Sequence, residues 1–152
     1  EAYLTAHGFV NYEVSAWRKE KPSAHNLNYW QFGDYLAIGA GAHGKVTQPD
    51  GVYRFQKTRL PKDYLAKVPA ENLQFKRIEA DDMPFEFMMN ALRLNQGVDA
   101  KLYAERTGLS LAGLDEILSS LRARKLMVDD QTRISCTEQG HVFLNSVLEE
   151  FL

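Results

Sequence analysis

The sequence predicts an α+β chain, strand-rich over residues 1–58 and helical over most of residues 59–152, on three observations. Short apolar runs rich in aromatic and β-branched residues, punctuated by Gly and Pro, fill the first part. From Asp81 onward apolar residues recur at three- and four-residue spacing, the period of helices with one buried face. A hairpin signal, Pro49-Asp50-Gly51 between two strand-like runs, closes the first part.

Glu1-Ala2-Tyr3-Leu4 reads as the end of a helix closing on His7-Gly8, without Met or a signal-peptide pattern, so the chain is expected to be a piece of a longer protein. Residues 9–16 alternate, with Phe9, Tyr12 and Val14 interspersed with Asn11, Glu13 and Ser15, and are expected to form one strand. Residues 18–23 form a charged loop closed by Pro22, and residues 25–32 hold one or two turns of helix. Tyr35-Leu36-Ala37-Ile38 reads as a buried strand of the parallel-sheet kind, running into Gly39-Ala40-Gly41-Ala42-His43-Gly44. Residues 45–47 and 52–56 are the two arms of the hairpin, and Pro61 fits the first position of a short helix through Lys67.

In the helical part, Asp82 is a candidate N-cap, and Phe85, Met88, Met89 and Leu92 make one apolar stripe. Asp99 can cap a second helix that runs through Arg106 and stops at Gly108. Ser110 can cap a third, with Leu114, Ile117, Leu118 and Leu121 on one face. Met127-Val128 and residues 133–136 read as short strands around Asp129-Asp130, and Thr137 caps a last helix that turns Leu144, Val147, Leu148 and Phe151 inward. Three helices, a two-stranded wing and a closing helix make a winged-helix-like arrangement.

Composition narrows the function. A net charge of −2 over 152 residues gives no broad basic footprint for nucleic acid. The best candidate for a recognition helix, residues 110–125, keeps Arg122, Arg124 and Lys125 at its far end and Asp115 and Glu116 nearer its start, opposite to a base-reading helix. No nucleic-acid partner is therefore expected. No apolar run approaches the roughly 18 residues needed to span a bilayer. Cys136 is the only cysteine, which excludes an internal disulfide, fits a cytoplasmic location, and cannot hold an iron–sulfur cluster by itself. It reads as a small residue in a strand.

Two motifs could carry chemistry. In His25-Asn26-Leu27-Asn28-Tyr29-Trp30, helical spacing puts His25 and Tyr29 on one face and Asn26 and Trp30 on the adjacent stripe. An imidazole beside two broad rings suits a porphyrin, with His25 as ligand to haem iron and an asparagine orienting the ring or a propionate. The plainer reading is that His25 bonds a backbone carbonyl while Tyr29 and Trp30 fill a core. The second motif is the glycine-rich run ending in Gly41, Ala42 and His43, where backbone can approach a ligand closely; a structural turn serves equally well. Its spacing is not that of a dinucleotide fingerprint. His7 sits at a helix end, and His141 is expected to be solvated in the first turn of the last helix. No pair of histidines or acids has metal spacing, and no serine sits in a nucleophile elbow.

The order and spacing of Gly8-Phe9-Val10-Asn11-Tyr12-Glu13-Val14-Ser15, the HNLNYW run at 25–30, and Gly33-Asp34-Tyr35-Leu36-Ala37-Ile38-Gly39-Ala40-Gly41-Ala42-His43-Gly44 resemble the HemW branch of the radical-SAM, oxygen-independent coproporphyrinogen III oxidase family. The helical part resembles that family's C-terminal domain more loosely, and Ala37 stands where glycine is usual. The resemblance implies that residues 1–58 are the last strands of a radical-SAM partial barrel plus a hairpin, and that residues 59–152 are the HemN-type C-terminal domain. It places the cluster-binding CxxxCxxC cysteines, the 4Fe–4S cluster and S-adenosylmethionine (SAM) in the longer family members, so this chain alone is expected to be inactive as an enzyme. It implies haem ligation by His25 with Asn26, Tyr29 and Trp30 around it, and SAM near Gly41, Ala42 and His43. The expected function is haem chaperoning within porphyrin metabolism, with haem and haem-accepting proteins as partners. Coproporphyrinogen III oxidation, with a porphyrinogen substrate, is the first alternative, and a winged-helix nucleic-acid-binding module is the second. A chain without the rest of the barrel is expected to expose strand edges and to self-associate as a homodimer.

Overall fold

The computed structural model describes residues 1–68, 71 and 73–152. In chain order it runs α1 (Ala2–Ala6), β1 (Val10–Glu13), β2 (Ala16–Arg18), α2 (Ala24–Trp30), β3 (His43–Gln48), β4 (Gly51–Lys57), α3 (Pro61–Ala66), β5 (Leu73–Arg77), α4 (Met83–Ala91), β6 (Val98–Asp99), α5 (Lys101–Thr107), a 3-10 turn (Leu111–Leu114), α6 (Asp115–Ala123), β7 (Arg133–Ile134), α7 (Glu138–Val142) and α8 (Leu144–Glu149). Helices and strands are mixed along the chain, as expected. Residues 1–32 and 81–152 form one compact unit, and residues 33–80 form the other. These units are a division by contact; the expected boundary after residue 58 concerns where a barrel would end in longer family members.

The first unit is organised around α4. Its buried side is Met83, Phe87, Met88 and Ala91, followed by Leu92. The expected stripe was rotated, since Phe85 is only half-buried and Met89 is exposed. Phe32 and Tyr103 meet the Phe87 ring edge to face, with centroids at 5.5 and 5.1 Å. Phe32 holds a positive φ of 56°, a region that strains an L-residue by about 1–2 kcal/mol. Full burial of its ring, about 2–3 kcal/mol, outweighs that.

Capping chemistry fixes several helix ends. The Asp99 carboxylate accepts the Lys101 N–H, and Gly108, left-handed at φ 74°, ends α5. Ser110 accepts the Ala112 N–H and opens the 3-10 turn, after which α6 buries Leu118 and Leu121 beside Leu114. The Thr137 hydroxyl accepts the Gly140 N–H and donates to the Lys125 carbonyl, tying α7 to the chain before it. Gly140 is required there, because a Cβ would lie 1.9 Å from the Leu126 carbonyl oxygen.

Several expectations are corrected. Residues 9–16 are not one strand: β1 and β2 form an antiparallel hairpin that turns at Val14-Ser15, with a register shift between Asn11 and Glu13. Glu13 faces inward and Val14 outward, the reverse of the expected alternation, because the Glu13 carboxylate closes the turn on Ser15. Asp82 makes no side-chain cap. The wing is reduced to a Met127–Cys136 bridge and a Val128 N–H donated to the Ser135 carbonyl; β7 pairs instead with β6, and Asp130 closes the loop on Thr132. The last helix is broken at Phe143 into α7 and α8, with Val147 and Phe151 buried. His141 is half-buried rather than solvated; burial holds its pKa below the ordinary value, and its Nε2 has no hydrogen-bond partner among the described residues.

The second unit is an antiparallel sheet in the order β3-β4-β5. His43 pairs with Gln56 through to Gln48 with Gly51, and Tyr53 pairs with Arg77 through to Lys57 with Leu73. Gly44 lies under Phe55, whose ring a Cβ would meet at 2.0 Å. The expected hairpin is present, and β5 is an addition to it. Tyr35–Ile38 is not a buried strand. Its one ladder contact among the described residues is the Tyr35–Lys45 bridge, and Leu36 and Ile38 are 79% and 91% exposed. A strand buried on both faces needs neighbours along both edges, and none is described beside residues 36–38.

Lys45 is the charged group buried in this sheet, at 1% exposure, and its ammonium lies 2.8 Å from Asp34. Partial burial would raise the Asp34 pKa. Hydrogen bonds from Lys45, the Thr47 N–H and the Thr47 hydroxyl outweigh it and hold the carboxyl below its ordinary value. Asp34→Asn should therefore cost about 2 kcal/mol at pH 7, less than a fully buried pair because Asp34 is half-exposed. The stabilisation is complete above the unfolded-state pKa and disappears as pH falls through the lower folded one. Urea titrations should show the gap between parent and variant closing below about pH 4; a gap independent of pH would remove the pair from the stability of this sheet.

Cys136 is buried, and that burial pushes its thiol pKa up to about 12. A thiol reagent at pH 8 should label it only at the rate of unfolding, with full labelling in denaturant. Rapid labelling of the folded chain would contradict this packing.

Candidate functional site

The HNLNYW motif forms α2, a seven-residue helix opened by Ser23, whose hydroxyl accepts the Asn26 N–H. Helices this short are unstable alone in water, so packing must hold it. Asn26 and Trp30, one turn apart on the inner stripe, supply the attachment. The Asn26 amide donates to the Tyr12 hydroxyl at 3.0 Å, fixing α2 to β1. The Trp30 ring lies under the Arg93 guanidinium, with Cζ 4.4 Å from its centroid.

Arg93 is itself anchored on the hairpin. Its Nη2 donates to Glu13 at 3.2 Å and to the Ser15 hydroxyl at 3.3 Å, while its carbonyl accepts the Val14 N–H. Glu13 is 1% exposed, and its other carboxylate oxygen accepts both the N–H and the hydroxyl of Ser15. A buried carboxylate thus finds a cation and two neutral donors, as such a group requires.

His25 and Tyr29 lie on the next stripe. The His25 ring is exposed, meets Tyr29 edge to face at 4.7 Å, and has no hydrogen-bond partner among the described residues. The plainer expectation, a histidine bonded to a carbonyl, does not describe it. The motif therefore divides: Asn26 and Trp30 are engaged in holding the helix, and His25 is presented outward with both ring nitrogens uncommitted. An exposed imidazole of this kind is a competent axial donor to haem iron.

Leu27 and Gln31, on the opposite side of α2, face a cleft of about 510 Å³ that is also lined by Tyr12, Arg18, Leu94 and Arg133. This concavity was not anticipated from the sequence, and His25 does not line it. Glu13 and Arg93 were also missed as site residues. Eighty positions separate them, and no local pattern connects them.

In the second unit, Gly41 adopts φ 70° and its N–H is donated to the Thr58 carbonyl. Gly41 and His43 line a cleft of about 560 Å³ together with Lys57, Arg59 and Lys67. Ala42 is half-buried, and its carbonyl accepts the Lys57 N–H. The glycine-rich run is therefore a turn leading into β3 that also borders a basic cleft. Among the described residues no three His, Cys, Asp or Glu side chains cluster as a metal site, and no helix is long and apolar enough to cross a membrane.

The comparisons with known proteins agree with this architecture. Residues 78–143 match the model of the HemN C-terminal domain. The chain is 43% identical over 152 residues to the heme chaperone HemW of Haemophilus influenzae and to that of Escherichia coli, covering 98% of this chain and 39% of each relative. It is 31% identical over 154 residues to the heme chaperone HemW of Bacillus subtilis, covering 98% and 40%. Its fold matches the radical-SAM coproporphyrinogen III oxidase HemN of Escherichia coli with a TM-score of 0.64 at 17% identity, over 99% of this chain and 38% of that one. The chain belongs to the family of proteins that carry a HemN C-terminal domain. The three bacterial relatives just described are heme chaperones HemW, and the chain spans about two fifths of their length.

Glu13 is the group whose loss should be felt most directly. Glu13→Ala removes the acceptor of three donors and leaves Arg93, whose side chain is 30% exposed, without its counter-charge. A loss of about 3 kcal/mol is expected, the low end for breaking a buried pair, read from the urea midpoint at unchanged slope. A loss below about 0.5 kcal/mol would mean that the pair does not hold the hairpin.

Proposed function

We propose that this chain is the haem-presenting part of a HemW-like haem chaperone, and that His25 ligates the iron of the haem it carries. The observation that carries the reading is the state of His25: exposed, without a hydrogen-bond partner among the described residues, and set on a helix that Asn26 and Trp30 hold from the inner stripe. The cargo is suggested by the relatives that match this stretch, which are heme chaperones as whole proteins. Haem is cargo here. The chain's own contribution is to offer the imidazole, keep its nitrogens free of competing bonds, and surround the approach with the edge of Tyr29. Release to a haem-accepting protein then requires only that the acceptor offer a better ligand, because the site lies open to solvent.

The same reading assigns Gly41, Ala42 and His43 to the neighbourhood of SAM in the longer family members, where the 4Fe–4S cluster also belongs and where SAM would supply radical chemistry. Its support is the backbone freedom at Gly41 and the basic cleft that Gly41 and His43 border. No step on this chain is assigned to that chemistry. The cytoplasm is the proposed location.

Hemin titrated into the chain should give a Soret band characteristic of histidine ligation, and His25→Ala should weaken binding by at least tenfold and shift the band. His43→Ala, in the other unit, should leave both unchanged. A His25→Ala variant with the parent's spectrum and affinity would end the reading.

A further inference from the structure

We propose that Arg93 is the positioning residue for His25, acting through Trp30 to set the direction in which α2 presents the imidazole. The inference rests on the reading of His25 as a haem ligand, but its geometric half can be tested without haem.

A seven-residue helix has little stability of its own, and its rotation about its axis is set by whatever grips it. Two contacts on the inner stripe, one turn apart, grip α2 among the described residues. Asn26 is held by the Tyr12 hydroxyl, and Trp30 by the Arg93 guanidinium. A single grip would leave α2 free to roll, whereas two in line fix the roll. His25 precedes Asn26 by one residue and so projects about 100° around the axis from it. Its direction is therefore a consequence of the clamp.

The clamp at Trp30 is made by stacking. The indole Nε1 is buried with no hydrogen-bond partner among the described residues, and so is Arg93 Nε. What joins the residues is the planar cation lying over the ring. Arg93 can lie there because Glu13 and Ser15 hold its Nη2 from the hairpin side. Lysine at this position could still reach Glu13 as a point charge but would offer no flat face to Trp30. Arg93→Lys therefore separates a merely structural role from a positioning one.

Hemin is titrated into the parent chain, Arg93→Lys, Trp30→Phe and the double variant. Thermal unfolding and the ring-proton NMR shifts of His25 are recorded on the same proteins without hemin, the His25 signals being assigned by their absence in His25→Ala. Arg93→Lys should unfold within a few degrees of the parent yet bind hemin about tenfold more weakly, equivalent to about 1.4 kcal/mol. Its His25 resonances should move away from the parent positions as α2 rolls or frays and the surroundings of the ring change. Trp30→Phe should do the same in part, and the double variant should be little worse than Arg93→Lys alone, since both act through one contact. Parent-like His25 resonances in Arg93→Lys would overturn the inference, as would parent-like hemin affinity where His25→Ala loses it. Unchanged hemin binding in His25→Ala, with displaced resonances in Arg93→Lys, would sink the haem reading and leave the clamp standing. Should Arg93→Lys fail to fold, Trp30→Phe carries the same two measurements, and parent-like values in it overturn the proposal.

Discussion

The first unit depends on a single electrostatic constraint, the burial of Glu13. A carboxylate at 1% exposure must be met by donors or it neutralises, and the chain meets it with Ser15 from the same turn and Arg93 from the residues that follow α4. One acid thereby closes the β1–β2 hairpin and joins it to a segment eighty residues away. Arg93, drawn to that position, has its other face available for Trp30. The hairpin and the motif helix are connected through one guanidinium, carried by the segment that follows α4.

The second unit solves a similar problem in the opposite sense. There the buried charge is a cation, Lys45, and the half-exposed partner is Asp34, which also accepts the N–H and hydroxyl of Thr47. Because the acid keeps contact with water, this pair loses less solvation than a fully enclosed one and is correspondingly less coupled to the rest of its sheet. It sets the entry to β3, beside the Tyr35–Lys45 bridge. The glycine-rich run thus begins its turn from a fixed strand end.

Local signals made much of the fold legible. Ser110, Thr137 and Gly108 announce helix ends because capping needs only residues within a few positions, and Pro49-Asp50-Gly51 announces a hairpin for the same reason. The misreadings share a different cause. In the alternation of residues 9–16, apolar residues are normally the buried ones, yet Glu13 is buried and Val14 exposed. That rule was reversed by a partner, Arg93, that the local sequence does not reveal. Leu36 and Ile38 looked buried because their composition is that of a strand enclosed on both faces, but enclosure depends on neighbours that composition does not supply. The short β5 and β6 were missed because Leu73–Arg77 has no turn signal beside it and Val98–Asp99 is only two residues long, too short to show an alternation. For the motif, helical spacing gave the division into two stripes. It could not say which stripe would be held inward, since that depends on Tyr12 and Arg93.

That division explains why six residues of such mixed chemistry can sit together on a helix barely two turns long. An outward imidazole on an isolated helix of this length would have no defined direction, because the helix itself would be frayed or rolling. Positions 26 and 30 supply what is lacking, a polar grip on β1 and an aromatic grip on Arg93, and both must be one turn apart to act together. Positions 25 and 29 are then displaced by one residue from each grip and emerge on the neighbouring face, with the Tyr29 edge against the His25 ring to limit its motion. Moving the histidine by one position would bring it onto a gripping stripe or swing it a further 100° around the helix. The spacing is thus fixed by mechanics as well as by ligand chemistry: two residues define a direction, and the other two occupy it.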